Sequence, residues 1–205
     1  ACKFQDELMP IEVPQRKGEP LVFSDDESPR PDTTLEKLAR LPLIYGSPTV
    51  TPGNAPGLNT GSSAMILMSP AEAERRGKQP LATLISWAMA SGHPDRIASI
   101  PAESARLAPE KVDLTIDDID VIEINEAFAA VPLVSTLIMA GGDQQKAEEI
   151  RAKTNVNGGA IAIGHPTGAT GARLIMTLMY ELRRRRAESG ESRPYYGLAT
   201  LCGGI

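Results

Sequence analysis

Val121-Ile122-Glu123-Ile124-Asn125-Glu126-Ala127-Phe128-Ala129 is a short apolar run that stops at a polar pair. Residues 121–124 read as a strand opening onto Asn125, and the spacing beyond predicts a helix over 126–139. Downstream, residues 155–170 are rich in glycine and small side chains. They feed an amphipathic helix over 172–186, where Leu174, Ile175, Leu178, Met179 and Leu182 recur at helical spacing. Residues 196–201 read as a last strand. Upstream, the apolar run 64–68 reads as a buried strand and 81–89 as another. Between them Ser69 can cap a helix, Pro70 fits its first turn and Gly77 can end it. Residues 103–107 read as a short helical turn that Pro109 shortens or interrupts, and 148–152 as a further short helix. Strands alternating with helices argue for an α/β architecture.

The first 60 residues are different. They are polar and proline-rich, with weak alternation at Ile11–Val13 and Leu21–Phe23. One short helix is signalled over 33–39, where Thr33 and Glu36 fit a capping box. Residues 46–61 carry Pro48, Pro52, Gly53, Asn54, Pro56, Gly57 and Asn59 and read as loop. No internal repeat and no low-complexity tract is visible.

The 205 residues are 41% hydrophobic, enough for one sizeable domain or one domain plus a piece of another. Lys and Arg total 21 against 26 Asp and Glu, a net charge of -5. That balance gives no electrostatic footprint for nucleic acid. The basic run 183–186 falls at the end of a helix, where cations complement the helix dipole. Cys2 and Cys202 make no disulfide framework, which suits a reducing, cytoplasmic setting. No apolar run approaches the roughly 20 residues that span a bilayer, and no basic-then-apolar signal opens the chain. The first residue is Ala1, so the start is read as processed or incomplete. No metal site is expected.

Three segments can carry chemistry. Asn125 follows a strand, and in α/β sheets ligands are handled at the carboxyl ends of strands. It can offer an amide to a carbonyl or a water, or it can simply cap a helix. His165 lies between Gly164 and Pro166 in the loop Asn155-Val156-Asn157-Gly158-Gly159-Ala160-Ile161-Ala162-Ile163-Gly164-His165-Pro166-Thr167-Gly168-Ala169-Thr170-Gly171. Those glycines match neither a Walker phosphate loop nor a dinucleotide fingerprint, which argues against ATP and NAD. A loop histidine suits proton transfer, though a structural role is the commoner one. Cys202 sits between a strand end and Gly203-Gly204. A thiol there can move protons or attack if its pKa is lowered, or it can be a small buried hydrophobe.

Together the segments resemble the thiolase family. Asn-Glu-Ala-Phe-Ala at 125–129, Asn-Gly-Gly-x-x-x-x-Gly-His-Pro-x-Gly-x-x-Gly-Ala-Arg at 157–173 and Cys-x-Gly at 202–204 occur in the family's order. The likeness continues upstream through Gly53-Asn54-Ala55-Pro56-Gly57 and through Arg30-Pro31-Asp32-Thr33-Thr34-Leu35-Glu36-Lys37-Leu38, and so covers nearly the whole chain. It implies two similar layered α/β/α halves, with a loop domain inserted in the first. On that plan residues 1–57 end the loop domain, 58–79 give the last strand and helix of the N-terminal domain, and 80–205 are the C-terminal domain without its last strand. The segment with the nucleophilic cysteine is expected elsewhere, since nothing around Cys2 matches its motif.

The resemblance implies an acyltransferase of the acetyl-CoA C-acetyltransferase type, acting on 3-ketoacyl-CoA by thiolysis or Claisen condensation in fatty acid metabolism. It implies that His165 activates the nucleophile and helps form an oxyanion hole, that Asn125 positions a water there, and that Cys202 moves protons. Arg30, Asn54 and Ala55 match positions that bind CoA. Coenzyme A is then a substrate, with no permanently bound cofactor. The expected partners are acyl-CoA, the remaining N-terminal part and further copies in a dimer or tetramer. Two positions depart from the pattern. Pro56 stands where a serine usually contacts CoA, and Thr60 where an aspartate is usual. His93 matches no catalytic motif and reads as a surface or structural residue. The alternative is a non-catalytic thiolase-like chain that binds acyl-CoA or serves as a structural partner.

Overall fold

The structure is a computed structural model and describes residues 3–203; Cys2 and Gly204, both singled out in the sequence, lie outside the described residues. In chain order the elements are β1 (Ile11–Val13), β2 (Leu21–Phe23), α1 (Leu35–Ala39), α2 (Pro70–Arg75), α3 (Ile100–Glu110), β3 (Val121–Ile124), α4 (Ala130–Met139), α5 (Gln144–Ala152), α6 (Ala160–Ile163), α7 (Thr167–Ser189) and β4 (Gly197–Thr200).

β3 and β4 are parallel neighbours in the register Val121–Gly197 through Ile124–Thr200. Side chains alternate across a strand, and the two faces of this pair have different partners. Ile122, Ile124 and Leu198 join Ala105, Val131, Ala147 and Ile150 in the apolar core beneath α3, α4 and α5. Thr200 faces the same way, its hydroxyl bonding to the Pro101 carbonyl of α3. Val121, Glu123 and Asn125 therefore face α7, as does Gly197. A Cβ on Gly197 would fall 2.7 Å from Leu178 and Leu182 of α7. The result is three layers: α3–α5, the strand pair, then α7.

The other edge of β3 is closed, without a further strand, by a single parallel bridge from Thr154 to Ile122 and by Asn155. Its amide accepts from the Ile124 N–H (2.8 Å) and donates to the Ile124 carbonyl (2.9 Å), while its own N–H donates to Ile122. At 31 residues' separation, this ties the glycine-rich loop to the strand that carries Asn125.

Several expectations need correcting. Residues 64–68 and 81–89 form no strands. They have no ladder partners among the described residues, and Ile66 (86% exposed) and Met89 (81%) face solvent. An apolar run becomes a strand only when another strand satisfies its backbone. The helix expected from 126 starts at Ala130, because residues 125–129 are held as loop: the Asn125 N–H donates to Thr200 and the Ala129 N–H to Asn54. α3 spans eleven residues, and Pro109 falls in its last turn without interrupting it. α5 begins at Gln144, capped by Asp143. α7 runs from Thr167 to Ser189 and ends at Gly190, whose φ of 68° is readily adopted by glycine. Thr34, not Thr33, caps α1 by accepting from the Lys37 N–H. Ser69 caps α2 as read.

Candidate active site

Asn125 leaves the end of β3 toward α7 and is fully buried. His165 immediately precedes the first turn of α7. The two meet: Asn125 Nδ2 lies 3.2 Å from His165 Nε2. The other ring nitrogen, Nδ1, lies 2.8 Å from the Thr170 hydroxyl, and that hydroxyl donates to the Pro166 carbonyl (3.0 Å). The His165 N–H reaches back to Asn59 Oδ1 (3.4 Å). Burial and the nearby Arg173 charge both hold the His165 imidazole below its ordinary pKa. It is therefore a neutral base near pH 7.

Glu126 fixes the loop from the other side. Its Oε2 accepts from the Ile161 N–H at the start of α6, 3.0 Å away, and its carboxylate lies where a Cβ on Gly159 would clash at 2.6 Å. Gly164 has a φ of 96° and would bring any Cβ to 2.3 Å from Asn59. Glycine is required there on both counts. These contacts explain the residue types at 158–164, which bring His165 to the strand end and carry no phosphate-binding motif.

Cys202 follows β4, whose Thr200 is the register partner of Ile124. It therefore emerges on the same carboxyl edge as Asn125, although no hydrogen bond joins it to Asn125 or His165. It is a half-buried free thiol, and burial pushes its pKa up, so it rests protonated. An open groove of about 420 Å³ runs between residues 59–63 and residues 166–169 at the start of α7. Ser63 fastens its wall by donating to the Ala169 carbonyl (2.6 Å).

No hydrogen bond joins the positions matched to CoA to Asn125, His165 or Cys202. Arg30 is exposed. Asn54 uses its side chain within its own loop, accepting from Thr51 and donating to Thr49, and its carbonyl receives the Ala129 N–H. Ala55 is buried. His93 is exposed and accepts from the Asp95 N–H at the start of a short 3-10 turn. Sequence reasoning missed Thr170, Glu126 and Asn155. The available signals were the spacing of Thr170 five residues after His165 and the amide pair 155/157 ahead of the glycines.

The family model for the thiolase C-terminal domain matches residues 78–205, and that for the thiolase N-terminal domain matches residues 1–71. The chain belongs to the thiolase family. Among its relatives, the acetyl-CoA acetyltransferase of Allochromatium vinosum is 44% identical over 203 residues, covering 98% of this chain and 48% of the relative. That of Pseudomonas aeruginosa is 45% identical over 201 residues, covering 98% and 47%. The crystal structure of the Bacillus anthracis acetyl-CoA acetyltransferase superposes with a TM-score of 0.82 at 40% identity, covering 98% of this chain and 48% of that one. Human mitochondrial 3-ketoacyl-CoA thiolase in complex with CoA gives 0.79 at 33%, covering 98% and 46%. The layered α/β arrangement is thus the thiolase fold, and the chain spans about half the length of these thiolase relatives. Among the described residues no helix is long and apolar enough to cross a membrane.

Proposed function

We propose that the protein carrying this chain is a thiolase-type acyltransferase that cleaves or forms 3-ketoacyl-CoA, with the attacking cysteine supplied by a segment outside these 205 residues. The observation that carries this reading is the Asn125–His165 contact at the carboxyl edge of β3, with Cys202 leaving the same edge. His165 Nε2 takes the proton from the attacking thiol, favouring the reactive thiolate. The thiolate adds to the ketone carbon of the substrate, and the bond between that carbon and the α-carbon breaks. The acyl group stays on the thiol, and the released acetyl-CoA carbanion takes its proton from Cys202. The CoA thiol then gives its proton to the Cys202 thiolate and attacks the acyl carbon; the bond from that carbon to the enzyme sulfur breaks, and the released thiolate takes its proton back from His165. Cys202's raised pKa supports the proton-moving role over that of resting nucleophile. A water positioned by Asn125, together with His165, would supply oxyanion donors, each typically worth about 3–4 kcal/mol of barrier.

The domain limits at 57 and 79, CoA contacts at Arg30, Asn54 and Ala55, a cytoplasmic location and assembly as a homo-oligomer belong to the same proposal. Pro56 offers neither hydroxyl nor amide proton to CoA, so this side of the CoA site is expected to depend on backbone and on Arg30.

The test is acetoacetyl-CoA thiolysis by the intact protein. His165→Ala and Cys202→Ala should each lower kcat by about 10²-fold or more, with modest change in CoA binding. The 205-residue chain alone should give no turnover. CoA binding by an intact protein with no turnover would favour a non-catalytic acyl-CoA-binding or structural subunit. Robust turnover by the chain alone, abolished by Cys202→Ser, would show that the nucleophile has been misplaced.

A further inference from the structure

We infer that Thr170 is a positioning residue that fixes His165 as the Nδ1–H tautomer and so leaves Nε2 as the proton acceptor; its catalytic meaning rests on His165 acting in acyl transfer as proposed above.

A neutral imidazole has one N–H and one lone pair, and the neighbour of each nitrogen decides which is which. Asn125 presents Nδ2, a group that only donates, to Nε2 at 3.2 Å. A hydrogen on Nε2 would set two donors face to face, so Nε2 must accept. The proton is then on Nδ1, which needs an acceptor, and Thr170 Oγ1 stands 2.8 Å away. The direction of that bond follows from the helix. Thr170 lies in the first turn of α7, and its hydroxyl donates to the Pro166 carbonyl at 3.0 Å, the back-bond to residue i−4 that threonine makes in helices. With its single proton used there, the oxygen offers lone pairs to Nδ1–H. Thr170 is 1% exposed, so no bulk water competes for this place. The chain of donors runs Asn125 Nδ2 to His165 Nε2, and His165 Nδ1 to Thr170 to the Pro166 carbonyl. Each of these three bonds then pairs a donor with an acceptor, while Asn125 Oδ1 is buried without a partner.

The role differs from packing alone. Valine would fill the site equally well but would leave Nδ1–H without an acceptor in a buried place, and the ring would gain by moving its proton or turning. Serine keeps the oxygen. Two readouts follow, both on the intact protein. The first needs no substitution: with 15N-labelled histidine, and the His165 signals assigned by their loss in His165→Gln, Nδ1 should be the protonated nitrogen and Nε2 the unprotonated one at neutral pH. The second compares variants. Thr170→Val should disturb that nitrogen pattern and lower kcat by about 10²-fold with KM for acyl-CoA unchanged, and Thr170→Ser should restore the pattern and most of the rate. A wild-type His165 carrying its proton on Nε2, with the Asn125 amide turned end for end, would overturn the inference. So would a Thr170→Val protein with the wild-type nitrogen pattern and kcat. The nitrogen spectrum does not depend on turnover. An inactive intact protein with the expected tautomer would therefore overturn the acyl-transfer reading and leave this one standing.

Discussion

Glu123 is two residues from Asn125 on the same face of β3, 1% exposed, and neither carboxyl oxygen has a hydrogen-bond partner. Arg173 of α7 approaches to 3.6 Å, and its charge favours ionisation, but burial outweighs it, and the charges of Glu7, Glu126 and Glu181 nearby add smaller upward pushes. The carboxyl is pushed up to about 8 from an ordinary 4.5 and is held as the neutral acid at pH 7. The folded protein then binds more protons than the unfolded chain between those two values, so Glu123 makes stability fall as pH rises through that window. The destabilisation is complete above pH 8. His165 has the opposite sign: its lowered pKa means that stability is lost as pH falls below its ordinary 6.5. Glu123→Gln removes the first effect and leaves the second. Its melting temperature should equal or slightly exceed wild type at pH 5 and exceed it clearly at pH 8.5. Thermal melts of the intact protein and its Glu123→Gln variant across pH 5–9 give the comparison, and parallel curves would mean that Glu123 is ionised throughout.

At the scale of elements, the parts that the sequence placed well are those whose stabilising contacts lie within the chain. β3, β4 and α7 bury alternating or helical-period side chains against one another, so their patterns survive in the residues themselves. The sequence pattern marks α7 too short because Thr167, Gly168 and Ser189 are weak helix formers, and the added turns rest on tertiary contacts. Residues 64–68 and 81–89 have the composition of strands and were read as such; what they lack is a neighbouring strand, which composition does not reveal. In the site, Asn125 and His165 were legible from motif order. Their meeting was not, since it depends on Asn155 tying the loop to β3 across 31 residues. Asn155→Ala should therefore damage both stability and site. It leaves the Ile124 N–H and carbonyl without partners and loads a non-glycine side chain on a φ of 48° with no hydrogen bonds to hold it. A loss of about 2–4 kcal/mol is expected from two unpaired, largely buried groups, read as the shift in urea midpoint at unchanged slope. The same variant should raise the mobility of His165 and lower kcat. A midpoint within experimental error of wild type would show that a water or another chain replaces the amide.

The whole molecule exposes 13,926 Å², where a self-contained monomer of 21.9 kDa exposes about 9,300 Å². The excess of about 4,600 Å² far exceeds the roughly 800 Å² per partner of a standard-size interface. It is concentrated in the first half of the chain. Before residue 100, Ala55 and Ala73 are the only buried core residues among those described, while Ile66, Leu67, Leu84, Ile85, Trp87 and Met89 stand in solvent. Two apolar segments, 64–68 and 81–89, with no strand partner among the described residues, are templates for another chain to complete. The chain spans about half the length of its thiolase relatives, and on the function proposed above the expected occupant is a second polypeptide segment of thiolase type. The isolated 205-residue chain is therefore expected to elute from size-exclusion columns as aggregate or oligomer, to bind a hydrophobic dye such as ANS and to melt without a sharp transition. Co-expression with a polypeptide carrying a thiolase N-terminal half should convert it to a soluble stoichiometric complex with one cooperative melt and protected amides in residues 64–68 and 81–89. Protection at those two segments is the decisive measurement, because solubility alone can improve for many reasons. If the chain on its own is a monodisperse, cooperatively melting monomer with both segments already protected, they pair internally, and the need for a second half disappears.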